Sequence, residues 1–141
     1  LNVFGEGTER KKLENYIQQH GLQDFVFLHG NQNQEVLKKA YKKSHFIVLP
    51  SKSEGWPKVI AEGMFWGCIP LATNVSCVSS MLENGKRGLF LEMILEKDLD
   101  QIEKVILDQT KYFNTGKLAT EWSQNFTIEL FEAEIERLII K

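Results

Sequence analysis

An α/β fold, with a parallel sheet carrying helices on both faces and a helical C-terminal tail, is predicted by three observations on this chain. Five short apolar runs are too uniformly hydrophobic for strands with one wet face, which is the pattern of a buried parallel sheet. Amphipathic stretches of helical period lie between those runs. Beyond the fifth run the period stays helical to the end of the sequence.

The runs fall at residues 2–4, 25–28, 45–49, 69–73 and 88–91. Between the first two, residues 9–20 place Leu13, Tyr16 and Ile17 at helical spacing and stop at Gly21, suited to the left-handed turn that ends a helix. Residues 33–43 present Val36, Leu37, Ala40 and Tyr41 on one face, and the lysines of both helices read as solvated. A third helix follows Pro57. After the last strand, helices are predicted over 95–109, around 117–123 and over 127–140. Leu130, Phe131, Ile135, Leu138 and Ile139 give the last of these a broad apolar stripe, part of which is expected to lack a partner. No repeat or low-complexity tract interrupts the series, and a single domain over 1–141 is expected.

The chemistry points to the third strand. His45-Phe46-Ile47-Val48-Leu49 ends at Pro50, which cannot continue a central strand, so the polar loop Ser51-Lys52-Ser53-Glu54-Gly55-Trp56 lies at the carboxyl edge of the sheet. Open α/β sheets bind ligands at that edge. Pro57 fits the first turn of a helix, where its missing N–H would be unpaired anyway. Gly55 and Trp56 then offer backbone N–H groups at the positive end of the helix dipole, a setting for a diphosphate, and Gly55 lets a bulky anion approach. The helix from Val59 to Trp66 is apolar on nearly every side apart from Glu62, eight residues after Glu54. A carboxylate among apolar neighbours needs partners. Lys58, four residues back, is one candidate, and the vicinal hydroxyls of a ribose are another.

Ser53-Glu54-Gly55-Trp56-Pro57-Lys58-Val59-Ile60-Ala61-Glu62-Gly63-Met64, followed by Gly67-Cys68-Ile69-Pro70-Leu71-Ala72-Thr73, resembles the E-x7-E segment of family 4 (group 1) glycosyltransferases. Val3-Phe4-Gly5-Glu6-Gly7-Thr8-Glu9 is similar to that family's upstream strand and glycine turn, Phe27-Leu28-His29-Gly30 to its strand end beside the base, and Glu83-Asn84-Gly85-Lys86-Arg87-Gly88-Leu89 to its late turn. The resemblance implies the Rossmann-like C-terminal half of the two-domain GT-B fold. It implies transfer of a hexose-type sugar from a nucleoside diphosphate donor to a hydroxyl acceptor, with retention, in polysaccharide or glycoconjugate synthesis. Glu54 would be the catalytic-site carboxylate on the donor sugar and Glu62 the ribose ligand. Gly55, Trp56 and Pro57 would flank the diphosphate, and Gly30 and Asn31 the base. No cofactor or metal ion is implied, the sugar nucleotide being substrate. Two departures stand out: Asn74-Val75-Ser76-Cys77 occupies the place where the family often has an aspartate and a glycine pair, and Gly63 replaces a more usual alanine.

The chain starts at Leu1 and enters a strand almost at once, so it reads as a piece of a longer enzyme whose acceptor-binding N-terminal domain is missing and which is inactive alone. At 43% hydrophobic it can bury a sizeable core. Its net charge of -2 supplies no basic footprint for nucleic acid. No apolar run is long enough to cross a membrane. The expected compartment is the cytoplasm, with peripheral association at the inner face of the cell membrane left open. Cys68 and Cys77 lack zinc-site spacing and read as small buried hydrophobes. His29 reads as a structural histidine, with ligand contact the alternative.

Four other functions compete with this reading. A sugar-nucleotide epimerase of related architecture would use the same pocket without an acceptor, and a non-catalytic interaction module would keep the fold alone. A dinucleotide oxidoreductase is disfavoured, because Gly5-Glu6-Gly7 is a weak glycine pattern and the second strand ends in His29-Gly30-Asn31 instead of an acidic residue. A phosphoacceptor domain lacks aspartates at its strand ends.

Overall fold

The computed structural model describes residues 1–139 and divides the chain into two compact units, Leu1–Lys39 and Ala40–Lys141. In the first unit β1 (Asn2–Val3) and β2 (Phe27–Leu28) form a parallel pair, with Asn2 opposite Phe27, and α1 (Arg10–Gln19) connects them. Its apolar residues are at most half-buried. Leu13 and Tyr16 are exposed, so of the three residues expected to pack from α1 only Ile17 is partly covered. A sheet of two short strands has too little area to cover a helical stripe. α2 (Gln34–Lys43) carries the chain into the second unit.

The second unit holds a three-stranded parallel sheet in the order β3 (Phe46–Leu49), β4 (Ile69–Thr73), β5 (Leu89–Leu91). Only β4 is buried along its whole length, whereas β3 and β5 are half-buried and Val48 is exposed. The uniform burial expected of every strand therefore holds for the central one. Edge position explains the difference, since β4 has a neighbour on each side. α3 (Lys58–Phe65), the short α4 (Val78–Met81), α5 (Leu95–Leu107), α6 (Gln109–Ser123) and α7 (Ile128–Ile139) complete the unit.

α3 is not buried all round. Ile60, Gly63 and Met64 face the core while Val59 and Glu62 are exposed, so the helix has one buried and one open side. Its core partners are Ala72 from β4, Val78, Met81 and Leu82 from the α4 segment, and Ala119 from α6. Glycine at 63 has a packing reason: a Cβ there would stand 2.8 Å from Ile47 Cγ2 and 2.9 Å from Ile47 Cβ, next to the β3 backbone. The alanine usual in the resembled family does not fit against isoleucine at 47 without displacing the helix or the strand.

Lys42 lies 4.5 Å from the Trp66 ring centroid, a cation–π contact, and so is not simply solvated as expected. No residue of α7 is buried, and Phe131, Leu138 and Ile139 are largely exposed, so its apolar stripe lacks cover within the described residues. The predicted extension of this helix to Ile140 lies outside them. No helix among the described residues is long and apolar enough to cross a membrane.

Candidate functional site

β3 delivers the chain at Leu49 to a loop over residues 50–57, and the loop ends on α3. Pro57 is buried and sits just ahead of the helix with φ -75° and ψ 90°; its carbonyl accepts from the Ile60 N–H at 3.0 Å. It therefore marks the boundary instead of occupying the first turn, because its ψ is extended. Gly55 and Trp56 are exposed, and neither amide enters a backbone hydrogen bond among the described residues. Both stand at the positive end of α3, as an anion site requires. Glu54 is half-buried in the same loop.

The loop is fixed by side chains. The Thr73 hydroxyl at the end of β4 donates to the Ser51 carbonyl. The Gly55 carbonyl accepts from Ser76 Oγ at 3.3 Å and from the Cys77 thiol at 2.9 Å. Trp56 packs against Trp122 in the last turn of α6 and Phe126 just beyond that helix, with centroids 6.1 and 5.8 Å apart, and the Arg87 guanidinium lies over Trp122 at 5.3 Å. Arg87 is itself held by Glu83 at 2.8 Å.

Glu62 is exposed, not embedded among apolar residues, because position 62 falls on the open side of α3. Its partner is neither Lys58 nor another cation: the Tyr41 hydroxyl donates to Glu62 Oε2 at 3.3 Å. That distance is long for a hydroxyl on a carboxylate. Oε1 makes no hydrogen bond among the described residues.

Burial, and next the Glu62 charge and hydrogen bond, push the Tyr41 hydroxyl up to about 12, so it remains a donor at neutral pH. Behind it the buried Cys68 thiol donates to the Tyr41 and Ser44 carbonyls at 3.2 and 3.4 Å, and burial raises it to about 11. Folding thus favours the protonated form of both groups. Their contribution to stability is complete below about pH 9 and is lost as pH rises through about 11 for Cys68 and 12 for Tyr41. Denaturant unfolding at stepped alkaline pH is expected to show this decline. Following tyrosinate absorbance, Glu62→Gln is expected to lower the highest tyrosine transition, and an unmoved transition would detach Glu62 from Tyr41.

Gly30 and Asn31 belong to the first unit. Gly30 is buried with φ +66°, its carbonyl accepts from the Gly5 N–H at 2.8 Å, and a Cβ there would meet Glu6 Oε1 at 2.6 Å. Asn31 is exposed. His29 Nε2 donates to Asn2 Oδ1 at 2.7 Å and its ring stacks on Phe4 at 4.8 Å, a structural histidine. Among the described residues, no group of three or more His, Cys, Asp and Glu side chains gathers that could hold a metal ion.

Sequence reasoning missed Tyr41, Thr73, Ser76 and Cys77. Tyr41 read as part of a packing face. The other three stand at or just after the end of β4, where short polar donors commonly reach neighbouring carbonyls, and that signal was available.

A family model described as glycosyl transferases group 1 matches residues 1–125. The chain belongs to that family. This group 1 member is 29% identical over 130 residues to an uncharacterized glycosyltransferase of Methanocaldococcus jannaschii, a match that covers 92% of the chain and 37% of the relative. Its fold superposes on sucrose-phosphate synthase from Thermosynechococcus elongatus with a TM-score of 0.80 at 24% identity, over 99% of the chain and 37% of that structure. It superposes on the Anabaena protein HepE, crystallised with UDP and glucose, with a TM-score of 0.82 at 20% identity, over 98% of the chain and 39% of that structure. These likenesses establish an α/β fold of the GT-B type with parallel sheets flanked by helices. The chain spans little more than a third of the length of each.

Proposed function

We propose that this group 1 chain forms the donor-binding part of a glycosyltransferase that moves a hexose-type unit from a nucleoside diphosphate sugar to a hydroxyl acceptor. The observation that carries the reading is the pairing of a half-satisfied Glu62 carboxylate with two unbonded amides at the start of the same helix. One end of α3 suits a diphosphate and the exposed side, about one turn along at Glu62, suits the adjoining ribose. Helix N-termini favour anions through their unpaired N–H groups and dipole. A carboxylate with a free oxygen accepts from vicinal hydroxyls.

In this reading Glu54 contacts the hydroxyls of the transferred sugar. Gly55 and Trp56 donate to the leaving diphosphate, where negative charge accumulates as the glycosidic bond breaks, and Pro57 holds the helix start in place. Donors already fixed at that position stabilise the developing charge without reorganising. No divalent ion or other cofactor is required. Retention of configuration, and a place in polysaccharide or glycoconjugate synthesis, extend the family resemblance. Support for a nucleotide sugar as donor comes from HepE, a neighbour crystallised with UDP and glucose. The acceptor would be bound by chain beyond this third of the enzyme, acting in the cytoplasm and including acceptors at the inner face of the cell membrane.

Titrating the full-length protein with uridine, guanosine and adenosine diphosphate glucose, with product analysis, tests the reading. Saturable binding of one of them and acceptor-dependent transfer are expected. An altered sugar nucleotide released without acceptor would instead identify an epimerase, and indifference to all three would leave an interaction module.

A further inference from the structure

The turn after β4 departs from the glycine pair of the resembled family and carries side chains that reach the donor loop. Ser76 has φ +49°, a left-handed conformation that glycine adopts without the Cβ penalty. Its hydroxyl and the Cys77 thiol converge on one atom, the Gly55 carbonyl oxygen, at 3.3 and 2.9 Å. Gly55 has nothing within 4 Å of its Cβ position, so no packing of its own sets its orientation.

We propose that Ser76 and Cys77 are positioning residues for the donor, acting through the Gly55 carbonyl to aim the Gly55–Trp56 peptide at the diphosphate. The inference rests on the donor reading above and assigns it two further residues. The peptide unit is planar and trans, so a carbonyl held on one side directs the following N–H to the other. Anchoring the Gly55 oxygen against the β4–α4 turn therefore turns the Trp56 N–H away from that turn. It also keeps a partial negative charge from facing an incoming anion. Thr73 fixes the other end of the loop through Ser51, and the contacts of Trp56 with Trp122 and Phe126 fix its side chain, leaving the Gly55 carbonyl as the rotor that needs a hold.

The test compares the wild-type full-length protein with the double variant Ser76→Gly/Cys77→Ala, and with Cys77→Ser, which keeps a donor. Two readouts are taken: amide nitrogen relaxation at Gly55 and Trp56 without ligand, and affinity for uridine, guanosine and adenosine diphosphate glucose. The double variant is expected to show greater mobility at both amides and about tenfold weaker binding, the loss expected for hydrogen bonds of ordinary strength. Its melting temperature should hold or rise, because glycine relieves the backbone at 76, and a purely structural role would lower it instead. Cys77→Ser should bind as wild type does. Unchanged amide mobility in the double variant overturns the proposal. So does greater mobility with unchanged affinity, which leaves the donor reading intact. A wild-type protein that binds none of the three ligands sinks the donor reading itself, and the positioning role with it, whatever the amides do.

Discussion

Glu62→Gln in the full-length protein is expected to weaken binding of the nucleoside diphosphate sugar about ten- to a hundredfold, with little change in stability. The substitution keeps the size of the side chain and keeps an oxygen that can accept from Tyr41, so the 3.3 Å contact survives in weaker form. It removes the charge that makes a bond to a ribose hydroxyl worth about 1.5 to 3 kcal/mol, whence the fold-change. Because Glu62 is exposed, water replaces the ligand in the free protein, and folding pays nothing for a buried charge. The exposure thus alters the physical argument for this residue. Buried, it would have needed a ligand to be tolerated; exposed, it is a preplaced acceptor whose direction Tyr41 restrains. Isothermal titration of both proteins decides the matter, and an unchanged dissociation constant would remove Glu62 from the donor site.

Much of the scaffold around that carboxylate was legible from residue pattern. β4 and the α3 start were found because an apolar run and a Gly-Trp-Pro turn each admit few conformations, and every strand was placed within two residues of its observed ends. The short α4 was not predicted, and α6 was read only in part, from about residue 117 although it begins at Gln109. Its buried residues are Thr115, Ala119 and Ser123, spaced by four. Small side chains let one helix approach α3 and β4 closely yet give no apolar stripe, so a search for hydrophobic period passes over them. Asp108, whose carboxylate accepts from the Lys111 N–H at 2.9 Å, was the usable sign of its beginning. The burial of Glu62 was misjudged for a related reason. Apolar composition around a helix shows what could be buried, while the exposed side of α3 depends on which elements reach it.

Gly88→Ala is expected to be the most damaging small substitution in the chain, costing about 3 kcal/mol and lowering the melting temperature by roughly 10 °C. Its cause lies in the central strand. Ile69 donates its N–H to the His45 carbonyl at 2.9 Å, so by the alternation of a parallel strand the N and O of Pro70 face β5. A proline is tolerated there because β5 begins only at Leu89, opposite Leu71, leaving no ladder partner for its missing N–H. The chain entering β5 at Gly88 must pass the ring closely. A Cβ at 88 would lie 2.6 Å from both the Pro70 ring carbon Cγ and the Pro70 carbonyl oxygen, and 3.1 Å from Leu82 Cδ2. The carbonyl belongs to a strand buried along its length and cannot retreat. Adding Pro70→Ala removes the ring clash but not the oxygen, so the double variant should recover only part of the loss in denaturant unfolding. Full recovery would mean that the ring alone sets the fit, and an undiminished Gly88→Ala protein would show that β5 can move away from β4.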